Sequence, residues 1–161
     1  MLVVCFIGDH AKDTLLTRAG WWLTRLAQKG PYGNVTHMEA IHMLHADGSV
    51  VIASASLRDG GVRSKRVTLD PHHWRIADVP MWDVERSKDL LSETVGQPYD
   101  WRGAAALFLP GSPVAEQWFC SEWVLKPYIR ASETFSPAQA AAIVFSLGRD
   151  VTASFFAARN L

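Results

Sequence analysis

The chain is short of cysteine, of net charge and of long apolar runs. Among 161 residues there are two cysteines, Cys5 and Cys120, too few for the disulfide framework of a small secreted domain. Lys plus Arg number 16 and Asp plus Glu number 16, so the formal net charge is zero. Nucleic acid and anionic membranes normally demand a basic excess, and neither is an expected partner. The one basic run, Arg58–Arg66 (RDGGVRSKR), reads as a solvated loop. No stretch approaches the ~20 apolar residues of a membrane span. The opening segment MLVVCFIGDH has no basic start, and its apolar run is too short for a secretory signal. A cytoplasmic, reducing setting with two free thiols is therefore expected.

What is present is enough for one packed domain: 48% hydrophobic residues and 20% charged ones. Residues 2–7 (LVVCFI) read as a buried strand, with Cys5 as a packing residue. An apolar stripe at Leu15, Leu16, Ala19, Trp22, Leu23 and Leu26 predicts a helix over 14–28, capped by Asp9 or Asp13 and closed at Gly30-Pro31. Residues 35–44 and 49–56 flank the turn signal Ala46-Asp47-Gly48 and predict a hairpin. Weak alternation over 62–69 predicts a third strand, and 74–82 a further one ending near Pro80. Residues 84–95 form an amphipathic helical pattern stopped by Gly96 and Pro98. An aromatic and Gly/Pro-rich loop follows, with a helical island at 103–109. A helix is expected over 120–126, and another from Pro137, capped by Ser136. The last residues, 150–161, read as a tail anchored by Phe155 and Phe156. One helix, several antiparallel strands and then helices make an α+β fold.

Two residues carry the chemistry. Cys120 opens a predicted helix, where the positive end of the helix favours a thiolate and backbone amides can hold an oxyanion. A thiol nucleophile needs a base. Of the six histidines, His37 has the most suggestive setting, because it lies on a strand two residues before Glu39. Side chains at i and i+2 share a face, so the carboxylate can orient the imidazole; a merely polar strand face is the plain alternative. His37, Glu39, His42 and His45 also form an H-x-E-x-x-H-x-x-H cluster. On a strand it diverges and it is not the helical HExxH motif, so no metal is expected. His72 and His73 are adjacent and read as surface residues, and His10 has no identifiable partner. Trp101, Trp118, Phe119 and Trp123 surround Cys120 in the chain and suit either an acyl pocket or core packing.

The segment Gly96-Gln97-Pro98-Tyr99-Asp100-Trp101-Arg102-Gly103, followed by Phe119-Cys120-Ser121-Glu122, resembles the nucleophile region of the NlpC/P60 superfamily, with its G-x-P-Y-x-W-G-G-like loop and D-C-S-G helix start. The histidine strand Thr36-His37-Met38-Glu39 precedes the cysteine. That order, with the Gly61-Val62 turn, is similar to the circularly permuted YiiX-like and lecithin:retinol acyltransferase-like branch, in phage and bacterial forms, over about residues 33–145. The resemblance implies a papain-like α+β core, Cys120 as nucleophile, His37 as base and Tyr99 beside the site. It implies a cysteine hydrolase or acyltransferase that needs no cofactor and acts on a small acyl, lipid or peptide substrate; a catalytically inactive binding module of the same fold is the alternative. The strand position for a third catalytic residue holds Ser54 and Ser56 between alanines and no acid, which leaves Glu39, Ser54 or a carbonyl for that part. Phe119 stands where cell-wall peptidases have an aspartate, and Arg102 replaces a loop glycine. Substrate contacts are expected from Tyr99, Trp101, Phe119 and Ser54.

Overall fold

A computed structural model describes residues 1–8, 18, 22, 25–26, 28, 30–100, 102, 117–129 and 135–159. Within them the fold is α+β, a six-stranded antiparallel sheet with four helices. The strands are β1 (Leu2–Phe6), β2 (His37–Leu44), β3 (Val50–Ser56), β4 (Gly61–Val67), β5 (Trp74–Asp78) and β6 (Arg149–Asp150). Their spatial order is β4-β3-β2-β1-β5-β6. The helices are α1 (Val84–Thr94), α2 (Cys120–Leu125), α3 (Pro137–Leu147) and α4 (Thr152–Ala157).

Each strand divides its residues between two cores because side chains alternate across a pleated sheet. Val3 and Cys5 of β1, Met38 and Ala40 of β2, and Ala53 and Ala55 of β3 join the larger core, with Trp123 and Val124 of α2 and Ala140, Ala141 and Val144 of α3. The intervening Val4, Ile41 and Ile52 join a smaller one with Ile76, Leu69, Phe155 and Phe156. Alanines at Ala53 and Ala55 leave room for α2 to lie close over β2 and β3. Trp123 is completely buried there and donates its indole N–H to Thr94 Oγ1 at 3.0 Å. Truncating a buried aromatic of this size costs about 3–5 kcal/mol.

The local signals explain the element ends. Asp83 caps α1 by accepting from the Glu85 N–H at 3.0 Å, and Gly96, at φ 85°, follows its end. Ser136 and Gln139 make a reciprocal capping box on α3, with Pro137 in its first turn. The β2–β3 turn closes with the His45 N–H on Ser49 O at 2.9 Å, and Gly48 supplies the positive φ of 83°.

The structure departs from the sequence expectation at several points. β5 ends at Asp78, since Val79 bonds back to Met1 and then opens a turn with Trp82. β2 begins at His37, not Val35, whose N–H closes a turn on Tyr32 O. The tail is a two-residue strand and a short helix, with Phe155 and Phe156 buried as expected. Three of the basic residues of the 58–66 run lie on β4 and are ion-paired: Arg63 and Lys65 to Asp59, and Arg66 to Asp47. The helix expected over 14–28 is described only at Arg18, Trp22, Arg25, Leu26 and Gln28. Trp22 and Leu26, assigned to its apolar stripe, are 61% and 60% exposed, while the Arg25 guanidinium turns to the Ile7 and Gly8 carbonyls. Asp9, His10, Asp13, the 103–109 island and Trp101 lie outside the described residues. Among the described residues, no helix is long and apolar enough to cross a membrane.

Candidate active site

The site forms where the start of β2 meets the start of α2. Phe119 is extended, at φ −95° and ψ 149°, and Cys120 is the first residue of α2. The preceding chain is held in place by a backbone clamp. Asp100 N–H bonds to Trp118 O at 2.9 Å, and Trp118 N–H bonds to Pro98 O at 3.2 Å. On its other side the 96–99 segment pairs with the start of β4: Val62 N–H to Gln97 O at 2.9 Å, Gly96 N–H to Val62 O at 2.9 Å, and Tyr99 N–H to Gly60 O at 3.1 Å. The Gly61-Val62 turn and the Gln97–Asp100 segment are thereby one structural unit, and the unit carries Tyr99 to the cysteine.

His37 is buried at the first position of β2. Its Nε2 lies 3.1 Å from Glu39 Oε1, so the i, i+2 pair expected from sequence shares a face and bonds. An ionised carboxylate only accepts, which requires Nε2 to carry a proton and makes Nδ1 the acceptor of the neutral ring. Burial works against a charged ring. The charge of Cys120 and a hydrogen bond with it, followed by the hydrogen bond and charge of Glu39, override burial and hold the His37 pKa up to about 9.

Glu39 is 2% exposed and has a second partner that the sequence reading did not name. Arg63 donates through Nη1 to Oε2 at 2.6 Å and through Nη2 to Oε1 at 3.0 Å. Burial raises the Glu39 pKa, but the hydrogen bond and charge of His37, with those of Arg63, outweigh it and keep the carboxyl below its ordinary range. Arg63 Nε also bonds to Asp59 Oδ2 at 2.6 Å. A sequence signal existed in part: Asp59 and Arg63 are spaced i, i+4. The Glu39–Arg63 contact instead depends on sheet register. Ser54 pairs with Arg63, and Glu39 sits one step from the Ala40–Ala53 pair, so the arginine reaches across β3 to β2.

Tyr99 is buried with its ring 5.9 Å from Phe119, edge to face. Burial first, then the neighbouring Cys120 and Asp100, push its phenol well above the usual value, so it remains an O–H donor. Ser54 Oγ lies 3.4 Å from the Cys120 carbonyl oxygen and 3.3 Å from that of Ala55, so it touches the backbone of the cysteine rather than the imidazole. Phe119 and Trp123 are core residues, while Trp118 is half-buried and donates to Gln97. Cys120 itself has no exposed surface. Cys5 is equally buried, and burial pushes its thiol well up, as suits the packing residue expected.

The histidine cluster is divided. His37 bonds to Glu39, whereas His42 bonds to Ser87 Oγ at 2.8 Å on α1. Burial, then the charge of Lys88, lowers His42 to about 4. A register shift between Ile41 and Met43 separates His42 from the regular pleat. Among the described residues no group of three or more ligating side chains is assembled to hold a metal. His73 lies 3.4 Å from Asp70 on the surface.

No protein family matches this sequence, no curated protein matches it, and no solved structure matches the chain.

Proposed function

We propose that this protein is a cysteine-dependent hydrolase or acyltransferase of the permuted papain-like kind, with Cys120 as nucleophile and His37 as its acid–base partner. The observation that carries the reading is the buried His37–Glu39 hydrogen bond set beside Cys120, close enough for the cysteine to help raise the imidazole's pKa. The histidine strand before the cysteine helix, and the packing of α2 over β2 and β3, support the permuted order.

In this reading Nδ1 of His37 takes the thiol proton and the sulfur attacks the carbonyl carbon of an amide, ester or thioester. The tetrahedral adduct collapses to a thioester on Cys120 as His37 returns the proton to the departing amine, alcohol or thiol. Water, or a second amine or alcohol, attacks the thioester with His37 again as base, and the Cys120 thiol is regenerated. Tyr99, held as a phenol, is the nearby donor for the oxyanion. The aromatic surroundings at Tyr99 and Phe119 favour an acyl, lipid or peptide substrate. No cofactor enters this scheme.

The closed position of Cys120 favours a second reading, a binding module of the same fold with an idle thiol. Alkylation by iodoacetamide across pH, read by mass spectrometry with Cys5 as internal control, separates the two. Catalytic pairing predicts that at pH ~6.5 Cys120 reacts at least ~10-fold faster in the wild type than in His37→Ala, and far faster than Cys5. Equal and slow labelling of both cysteines in both proteins favours the binding module. Ester and peptide substrate libraries, with Cys120→Ser as blank, then define the acyl group.

A further inference from the structure

We propose that Arg63 is the positioning residue of this site: its guanidinium grips both carboxylate oxygens of Glu39, so that Glu39 holds the Nε2 proton of His37 and Nδ1 is left to face Cys120. The inference rests on the catalytic reading above for its purpose, but its geometry stands by itself.

The two short contacts from Nη1 and Nη2 make a fork on one carboxylate, which fixes its plane as well as its position. Oε1 is shared between Arg63 and His37, so the oxygen that orients the imidazole is the one the arginine pins. Arg63 is itself immobilised from behind. Its Nε bonds to Asp59 Oδ2, which also accepts from Lys65 Nζ at 3.0 Å, and Nη1 reaches Ser54 O at 3.4 Å. Among the described residues, the charged and titratable groups around the Glu39–His37 pair are Cys120 of α2, Arg63 of β4, Asp59 and Lys65 behind Arg63, and Tyr99 with Asp100 beside Cys120.

Chemistry makes the arginine more than packing. A guanidinium is donor-only and stays charged, so it can pair only with the ionised, acceptor-only carboxylate. A protonated Glu39 would have to give up one of the two Arg63 bonds or present a donor to Nε2, and in the latter case the imidazole proton would move to Nδ1. His37 could not then accept from a thiol. Arg63 therefore fixes which nitrogen of His37 is the base, from a strand two places away in the sheet. A lysine, with one point charge and no fork, would keep the sign but not the plane.

The test is 15N-histidine NMR of the full chain, following the His37 ring nitrogens from about pH 3 to 10. Wild type, Arg63→Met, Arg63→Lys, Glu39→Gln and Cys120→Ser are compared. The expected wild-type ring, once neutral, is a single Nε2–H tautomer. In Arg63→Met that tautomer is lost to a mixture, and the acid-side transition reporting Glu39 protonation moves up by about one pH unit or more. Arg63→Lys recovers much of the acid-side shift but less of the single tautomer. Identical ring spectra in wild type and a folded Arg63→Met overturn the proposal. If Arg63→Met does not fold, Arg63→Lys decides: a mixed tautomer supports the proposal and an unchanged one overturns it. Cys120→Ser tests the catalytic pairing separately. A His37 titration that ignores Cys120→Ser sinks the thiol–imidazole pair and leaves the arginine result intact.

Discussion

Gly61→Ala is expected to be the most damaging single-methyl change in the half of the sheet that carries the site. A Cβ built on Gly61 would lie 2.2 Å from the carbonyl oxygen of Gln97, 3.1 Å from its carbon and 3.3 Å from Pro98 Cα. All three are backbone atoms, so no side chain can swing aside. To restore a tolerable contact the Gln97 carbonyl must retreat by about 0.8 Å. That stretches the 2.9 Å Val62 N–H bond to roughly 3.7 Å, beyond hydrogen-bond range. Val62 is 2% exposed, so its N–H would be left without water as a replacement. An unsatisfied buried donor costs about 1–3 kcal/mol, and the adjoining bonds at Gly96 and Tyr99 weaken with it, for a total of about 2–4 kcal/mol. Gly60→Ala is the control. Gly60 has φ 81° and open space around it, so its cost is the left-handed backbone alone, about 1–2 kcal/mol. Urea unfolding followed by tryptophan fluorescence reads both. A Gly61→Ala cost no larger than that of Gly60→Ala would refute the claim that β4 and the Gln97–Asp100 segment form one rigid unit. The same movement displaces Tyr99, so any acyl-transfer activity should fall together with stability.

Several groups make folding sensitive to acid, His42 and Glu39 among them. His42 has its pKa lowered to about 4, so its contribution is present above the unfolded value near 6.5 and is lost as pH falls toward 4. Glu39 is held below its ordinary value, so its contribution is present above pH ~4.3 and lost as pH falls through the lower folded value. Denaturation midpoints should therefore decline in two stages below pH ~6.5, with His42→Gln removing the upper stage and Glu39→Gln reducing the lower, which Asp47, Asp59 and Asp150 share; a midpoint flat from about pH 7 to 3 contradicts both assignments. Ser136→Ala removes the side-chain half of the α3 capping box and should cost about 1 kcal/mol in urea unfolding. A loss below about 0.3 kcal/mol would mean that the cap is redundant with the packing of Ala140 and Val144.

What could be read directly from the amino acids was local. Period-two and period-3.6 patterns, Gly48, Gly96, Asp83 and the Ser136-Pro137 start all act within a few residues of themselves, so the strands, the hairpin and the late helices were legible to within a few positions. The His37–Glu39 pair was legible for the same reason, because the pleat of one strand puts i and i+2 on one face. Cys120 at a helix start was legible as a possibility, not as a partner of His37. Register was not legible. Ser54 stood as an alternative to Glu39 for orienting the imidazole, yet Ser54 Oγ meets the Cys120 carbonyl while Glu39 takes Nε2. The basic 58–66 run looked solvated, yet Arg63 turns onto Glu39 because β4 pairs with β3 in the one register that sets Arg63 opposite Ser54. Trp123 and Phe119 each suited a core better than a substrate pocket, and the packing of α2 on two alanines of β3 put them in the core. The sequence by itself determined the elements and one half of the site, because those depend on neighbours along the chain. Only the tertiary structure decided that Arg63 closes on the buried His37–Glu39 pair and that the start of α2 docks beside it, because cross-strand register and helix docking depend on the summed packing of the whole sheet and not on any segment of it.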